Sequence, residues 1–338
     1  MKFKEALGID VSKKTIDVML HLSRGYCQFE NSIKGYKAML TWLRKQTNLN
    51  PDQVLICFEH TGLYSLPLAT FLNERQISFS MVAALEIKRS LGIVRGKNDK
   101  IPACRQGRDA KRIAGYAYLR RDQLKAFTLP STNVLRLQKL LSLRERMVKQ
   151  RAGYIGSNKE YKLMLKQKDC QSLFSIHNKM VHYLGKQIGA IENEIAELIA
   201  DDEKINRLYH LMVSVKGVGL IVAANLLVVT NCFMSFTDSR KFACYSGISP
   251  FERQSGTSLN MKSRVSHFAN KKIKSLLNLS ASSAIQADPE LKAYYQRRVE
   301  NGKSKMSTLN IVRNKIVHRI FAVVKRGTPY VPLYQHIA

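Results

Sequence analysis

Acidic residues are scarce in this chain: 25 Asp and Glu stand against 55 Lys and Arg among 338 residues, leaving a net charge of +30. Also missing are a CxxC pair, a long apolar run, a secretory leader, a lipidation motif and a glycine-rich phosphate loop. Each absence excludes a class. The six cysteines (Cys27, Cys57, Cys104, Cys170, Cys232 and Cys244) stand singly, which argues against a zinc ribbon or finger. Without a secretory signal they read as reduced thiols of a cytoplasmic protein. The lack of an apolar span or anchor removes the membrane as a partner. The missing phosphate loop counts against a sugar-kinase or actin-like ATPase, although those folds also begin on an acidic strand.

What is present narrows the field further. A hydrophobic content of 45% is ample for a packed core, so this is not a disordered polycation. Positive charge in such excess calls for a polyanion, and nucleic acid is the commonest one. The basic runs Lys271, Lys272, Lys274, then Arg297, Arg298, Lys303, Lys305, then Arg313, Lys315, Arg319, Lys325, Arg326 are each an ordinary solvated face. Together they point to DNA or RNA, in the cytoplasm and associated with the nucleoid.

Hydrophobic periodicity predicts an α/β beginning and a helical remainder. Phe3 to Leu22 reads as one β-branched segment, turned at Gly25 into a returning strand at Tyr26 to Phe29, a β-hairpin. A helix over Gly35 to Gln46, a buried strand over Val54 to Phe58, a helix over Tyr64 to Asn73 and a strand over Ile77 to Val82 follow. That order implies a mixed sheet. Beyond Pro130, apolar residues at three- and four-residue steps predict helices over Val134 to Ile155 and Ile176 to Ile199. They read as an antiparallel hairpin or coiled coil, a spacer with a dimerisation surface as its natural refinement. A compact, mainly α domain is expected from Asp201 onward, so the division is 1–130, 131–200 and 201–338.

Four carboxylates are candidates for chemistry. Asp10 lies inside an apolar strand, where a charge is costly unless paired or metal-bound. Glu59 ends the apolar run Val54 to Phe58, and ligand groups gather at strand ends. A helix cap or salt bridge explains Glu59 equally well. Asp99 and Asp109 follow, Asp109 at the start of a helix where the backbone dipole alone also favours it. Asp17 is set aside, because odd spacing from Asp10 along one strand aims it at the opposite face. Such hard oxygen donors select Mg²⁺ or Mn²⁺, and paired ions of this kind drive phosphodiester chemistry. In the second half, Lys216-Gly217-Val218-Gly219 before an apolar helix is either a phosphate-receiving turn or a tight helix–helix connection. Ser255, read from its neighbours alone, is a turn serine with no histidine placed to act as its base.

The strings GIDVSKKTIDV, FEHTG and GKNDK…DAKRIA, followed by SVKGVG, RKFACYSGISPFERQSGTS and ANKKIKSLL, resemble the insertion-sequence 110 family of DEDD transposases, which includes a pilin-inverting recombinase. The likeness runs from about Gly8 to Pro329, with motifs of both halves in the expected order. It implies an RNase H/RuvC-like N-terminal domain, a coiled-coil connector and a C-terminal transposase domain. It implies that Asp10, Glu59, Asp99 and Asp109 hold the metal and that Ser255 is the nucleophile of a phosphoserine intermediate. Arg253, Lys262 and Arg264 would then neutralise developing charge, with Lys216, Gly217, Gly219, Lys271 and Lys272 on nucleic acid. The resemblance further implies DNA partners (element ends and target), a structured bridge RNA as guide, and a homo-oligomer, dimer or tetramer, whose active sites combine subunits. One departure stands out. The family's third and fourth acids are three apart, whereas Pro102 to Arg108 separates Asp99 from Asp109 here like a seven-residue insertion. The expectation is that Asp109 keeps its place at a helix start while Asp99 is displaced, with activity impaired.

Overall fold

A computed structural model describes residues 3–90, 107–164, 170–255, 259–265 and 268–332. The chain forms two compact units, Met1–Leu129 and Pro130–Ala338.

The first unit is built on a five-stranded sheet. Its strands are β1 (Glu5–Val11), β2 (Thr15–Leu20), β3 (Tyr26–Glu30), β4 (Val54–Glu59) and β5 (Phe79–Val82), in the order β3-β2-β1-β4-β5. β1, β2 and β3 form an antiparallel meander, while β4 and β5 run parallel to β1. The expected mixed sheet is therefore present. One face carries Leu7, Ile9, Ile16, Val18, Ile56 and Phe58 against Tyr36, Met39 and Leu43 of α1 (Ile33–Thr47) and Leu68 and Leu72 of α2 (Leu66–Glu74). The other face sets Ala6, Leu55, Cys57 and Val82 against Ile87 of α3 (Ala84–Ser90) and Ile113, Tyr116 and Ala117 of α4 (Arg108–Leu119). Coverage on both sides explains why β4 is apolar from Val54 to Phe58 without alternation.

The single N-terminal strand is a misreading. Phe3 to Leu22 holds two strands, joined by a turn that contains no glycine, proline or asparagine. Ser12 makes that turn: its Oγ donates to the Thr15 carbonyl at 2.8 Å and accepts from the Thr15 amide at 3.0 Å. A serine side chain that mimics a backbone turn hides the reversal from a glycine-and-proline search.

The second unit opens with α5 (Thr132–Met164) and α6 (Gln171–Asp201), packed antiparallel with Arg144–Glu192 and Arg136–Glu194 ion pairs at 2.7 Å. At its base, Leu137, Leu141, Ile191 and Ile195 join one core with Leu227 of α8 (Leu220–Thr230), Leu277 of α10 (Lys271–Ala287) and Ile316 of α12 (Lys305–Arg326). Farther out, polar groups join buried Phe174, Leu184 and Ile188: Asn158 donates to Asn178 at 2.9 Å, and His177 lies between Tyr154 and Tyr161. The remaining helices are α7 (Glu203–Val213), α9 (Ser239–Tyr245) and α11 (Pro289–Glu300). A two-stranded sheet of β6 (Pro250–Ser255) and β7 (Leu259–Val265) interrupts this helical unit. Among the described residues, no helix is long and apolar enough to cross a membrane.

Candidate functional site

Register places the acids of the first unit. Asp10 on β1 stands directly opposite Asp17 on β2. Directly opposed residues of an antiparallel pair share a face, so Asp17 is on the side of Asp10, against expectation. Parity holds along one strand, and the turn at Ser12 to Lys14 separates these two residues. On the other flank Gly8 is level with Cys57 of parallel β4, which puts Glu59, two residues on, on that same face at the strand's carboxyl end. The Cys57 thiol is pushed up to about 12, by burial first and then by the charge of Glu59. Asp10, Asp17 and Glu59 are all half-buried.

Helix α4 covers this face. A Cβ on Gly8 would fall 2.2 Å from the Ala114 backbone nitrogen and 2.3 Å from the Ala110 carbonyl oxygen, so only glycine admits the helix here. Toward its end, Gly115 and Tyr118 lie over His21, whose amide bonds Ala6 at the start of β1. The first turn of α4, with Asp109, is consequently directed to the Asp10 end of the strand. Asp109 is exposed and paired with Arg112 at 3.0 Å. It does begin its helix, as the sequence suggests. Asp99 and residues 102–106 of the presumed insertion lie outside the described residues.

Asp17, Tyr26 and Gln28 were missed by sequence reasoning. Tyr26 donates its hydroxyl to Asp17 Oδ1 at 2.5 Å, and Gln28 Nε2 donates to the same oxygen at 3.0 Å. Burial first and this bond second push the Tyr26 phenol up to about 12. The available signal was the polar break Ser12-Lys13-Lys14 inside an otherwise apolar segment.

The Asp10, Asp17 and Glu59 carboxylates on this face are the kind of oxygen donor that suits a hard divalent cation. Thr61, two residues past Glu59 in the chain, has a buried Oγ1 with no hydrogen-bond partner among the described residues. Among those residues, no three His, Cys, Asp or Glu side chains approach closely enough to enclose an ion.

In the second unit Ser255 is the last residue of β6, paired with Leu259 of β7, and so closes a strand where a turn serine was expected. Arg253 is level with Met261, and Arg264 with Phe251; Lys262 lies between them on β7. This hairpin is described by its backbone. Of the basic candidates beyond it, Lys271 and Lys272 open α10, and Lys272 is held by Glu145 at 2.8 Å. Lys216 is exposed. Gly217, at φ 89°, is wedged against α10: an added Cβ would stand 2.4 Å from the Ser280 carbonyl, while Ser280 Oγ donates to the Gly217 carbonyl at 2.6 Å. That is the geometry of a tight helix–helix connection. Gly219 is exposed and leads into α8.

The mixed sheet thus carries acids on one face near its strand ends, and the helical unit that follows it in the chain is rich in lysine and arginine. The chain carries transposase domains of the IS110 family: the DEDD transposase model matches residues 7–158, and the Transposase IS116/IS110/IS902 family model matches residues 209–296. Pilin gene-inverting proteins of Moraxella lacunata and Moraxella bovis are each 25% identical over 338 residues, spanning 97% of this chain and 98% of theirs. The insertion element IS110 uncharacterized 43.6 kDa protein of Streptomyces coelicolor is 30% identical over 145 residues, 43% of this chain and 35% of its own length. T. thermophilus RuvC in complex with Holliday junction substrate aligns with 36% of this chain and 99% of its own at a TM-score of 0.27 and 12% identity, too loosely to add to the fold described above.

Proposed function

We propose that the chain is a DNA transposase or site-specific recombinase that cuts and rejoins strands through a metal-binding acidic site and the Ser255 hydroxyl. The observation that carries this reading is the shared face of Asp10 and Glu59 within the segment that matches the DEDD transposase domain. Asp10, Glu59, Asp99 and Asp109 would hold Mg²⁺ or Mn²⁺ on an RNase H/RuvC-like scaffold. A cation bound there supplies Lewis-acid polarisation of a phosphate oxygen. Ser255 Oγ attacks phosphorus: an Oγ–P bond forms, the P–O bond to the leaving strand breaks, the hydroxyl proton is lost and the departing oxygen gains one. Arg253, Lys262 and Arg264 offset the charge that develops on phosphate. DNA ends and target are the substrates. A structured guide RNA and an oligomer that shares sites between subunits complete the proposal, both supported by the family resemblance.

A second reading has one observation in its favour. Seven additional residues, Pro102 to Arg108, lie between Asp99 and Asp109 where the resemblance implies a spacing of three, so the chain is alternatively an impaired copy that keeps nucleic-acid binding.

One experiment separates the two. The protein is incubated with Mg²⁺, DNA carrying its element's ends and RNA transcribed from them, and resolved on a denaturing gel. A protein–DNA adduct that falls at least about a thousandfold in both Ser255→Ala and Asp10→Ala is the expected result. Cleavage that survives Ser255→Ala would mean a water-using nuclease. Binding without cleavage, restored by deleting Pro102 to Arg108, would mean the impaired copy.

A further inference from the structure

We infer that Tyr26 and Asp17 are positioning residues of the acidic site, forming a strut that ties the strand bearing Asp10 to the helix turn bearing Asp109. The inference rests on the proposed metal-binding reading and concerns how that site is held together.

Three contacts make the strut. Asp17 faces Asp10 across the β1–β2 ladder, at the Cβ separation of directly opposed residues, about 5 Å. Tyr26, on β3, reaches along the sheet to Asp17 Oδ1 at 2.5 Å, and Gln28 reaches the same oxygen from the residue opposite Asp17. Both donors engage one oxygen, which fixes the carboxylate's orientation beside Asp10. The Tyr26 ring then meets Gly107, the residue that caps α4: a Cβ there would stand 2.5 Å from two ring carbons. Gly107 adopts φ 77°, the left-handed region, so glycine is needed twice, for its backbone and for the ring. The side chain at Asp109 is two residues on.

Two elements that carry proposed ligands are thus joined through one tyrosine. β1 is fixed within the sheet, and α4 is pinned at Gly8 by close packing. The Tyr26 ring against Gly107 sets where the first turn of α4 begins. A two-point attachment of this kind fixes both the height and the direction of the helix start. Partners that orient metal ligands without binding the ion commonly change its affinity 10- to 100-fold, which gives the scale to expect.

The test uses the full-length protein and Mn²⁺ alone, titrated by electron paramagnetic resonance, with urea unfolding of the same samples. Tyr26→Phe keeps the ring against Gly107 and removes only the hydroxyl; Asp17→Ala removes its acceptor. We expect each to bind Mn²⁺ about tenfold more weakly than the parent while unfolding within about 1 kcal/mol of it. Asp10→Ala serves as the reference for loss of the site. Parent binding that is lost in Asp10→Ala but unchanged in Tyr26→Phe and Asp17→Ala would overturn the strut and leave the metal reading standing. A parent chain that binds no Mn²⁺ would overturn the metal reading, and the strut with it.

Discussion

Asp10 and Glu59 stand on strands covered on both faces, whereas Ser255 closes a strand whose sheet has only two members. A two-stranded ribbon is marginal in water on its own, so its order is set at the stem. Asn310 Nδ2 donates to the Ile248 carbonyl at 2.7 Å just before β6. Beyond β7, the Asn270 amide donates to the Tyr245 carbonyl at 2.9 Å and its side chain to the Tyr245 hydroxyl at 2.8 Å. The acids are positioned from within a core and the serine from two anchors. Sites on core elements are held more tightly than sites on projections.

The two glycine wedges challenge the comparison most severely. Gly8→Ala drives a methyl into the backbone of α4, and Gly217→Ala drives one into α10 from a left-handed position. Each should cost about 3 kcal/mol, seen as a lower urea midpoint. A loss below about 1 kcal/mol would mean that α4 or α10 shifts freely, and that unit is less rigid than described. Next comes the stem. Asn310→Ala should cost only about 1 kcal/mol of stability yet lower adduct formation through Ser255 several-fold, with Mn²⁺ affinity unchanged. Equal losses in both readouts would erase the distinction between hairpin and sheet. Smallest is Glu145→Gln, which releases Lys272 from its ion pair at about 0.5 kcal/mol or less. If Lys272 then reaches phosphate, the slope of log affinity for DNA against log salt steepens by about 1; an unchanged slope places Lys272 off the nucleic-acid path.

Much of this was written in apolar spacing. Val54 to Phe58 could only be a strand buried twice, and the steps Leu184, Ile188, Ile191, Ile195 and Leu198 mark the packed side of α6, all buried as found. Asp10 and Glu59 were legible as candidates because a carboxylate next to such runs is conspicuous. Asp17 was not, because its face depends on the count of residues after a turn, and Ser12 makes that turn with its side chain. The hairpin at Ser255 escaped for the opposite reason. Among the described residues β6 and β7 pair only with each other, and Pro250 to Ser255 has no apolar alternation to mark it as a strand.

The α5–α6 pair carries a gradient along its length. α5 has 33 residues, about 50 Å of helix at 1.5 Å per residue, and only the base near Leu137, Leu141, Ile191 and Ile195 shares the unit's core. Outward, Asn158–Asn178 and the rings around His177 stand among buried Phe174, Leu184 and Ile188, outside that core, and Gly153, Gly156 and Gly189 meet no neighbour that an added methyl would touch. Amide protons near Asn158 should therefore exchange with solvent through local opening, while those near Leu141 wait for the unit to unfold as a whole. If so, opening of the arm starts at its outer end and stops where Leu137 and Leu141 enter the core.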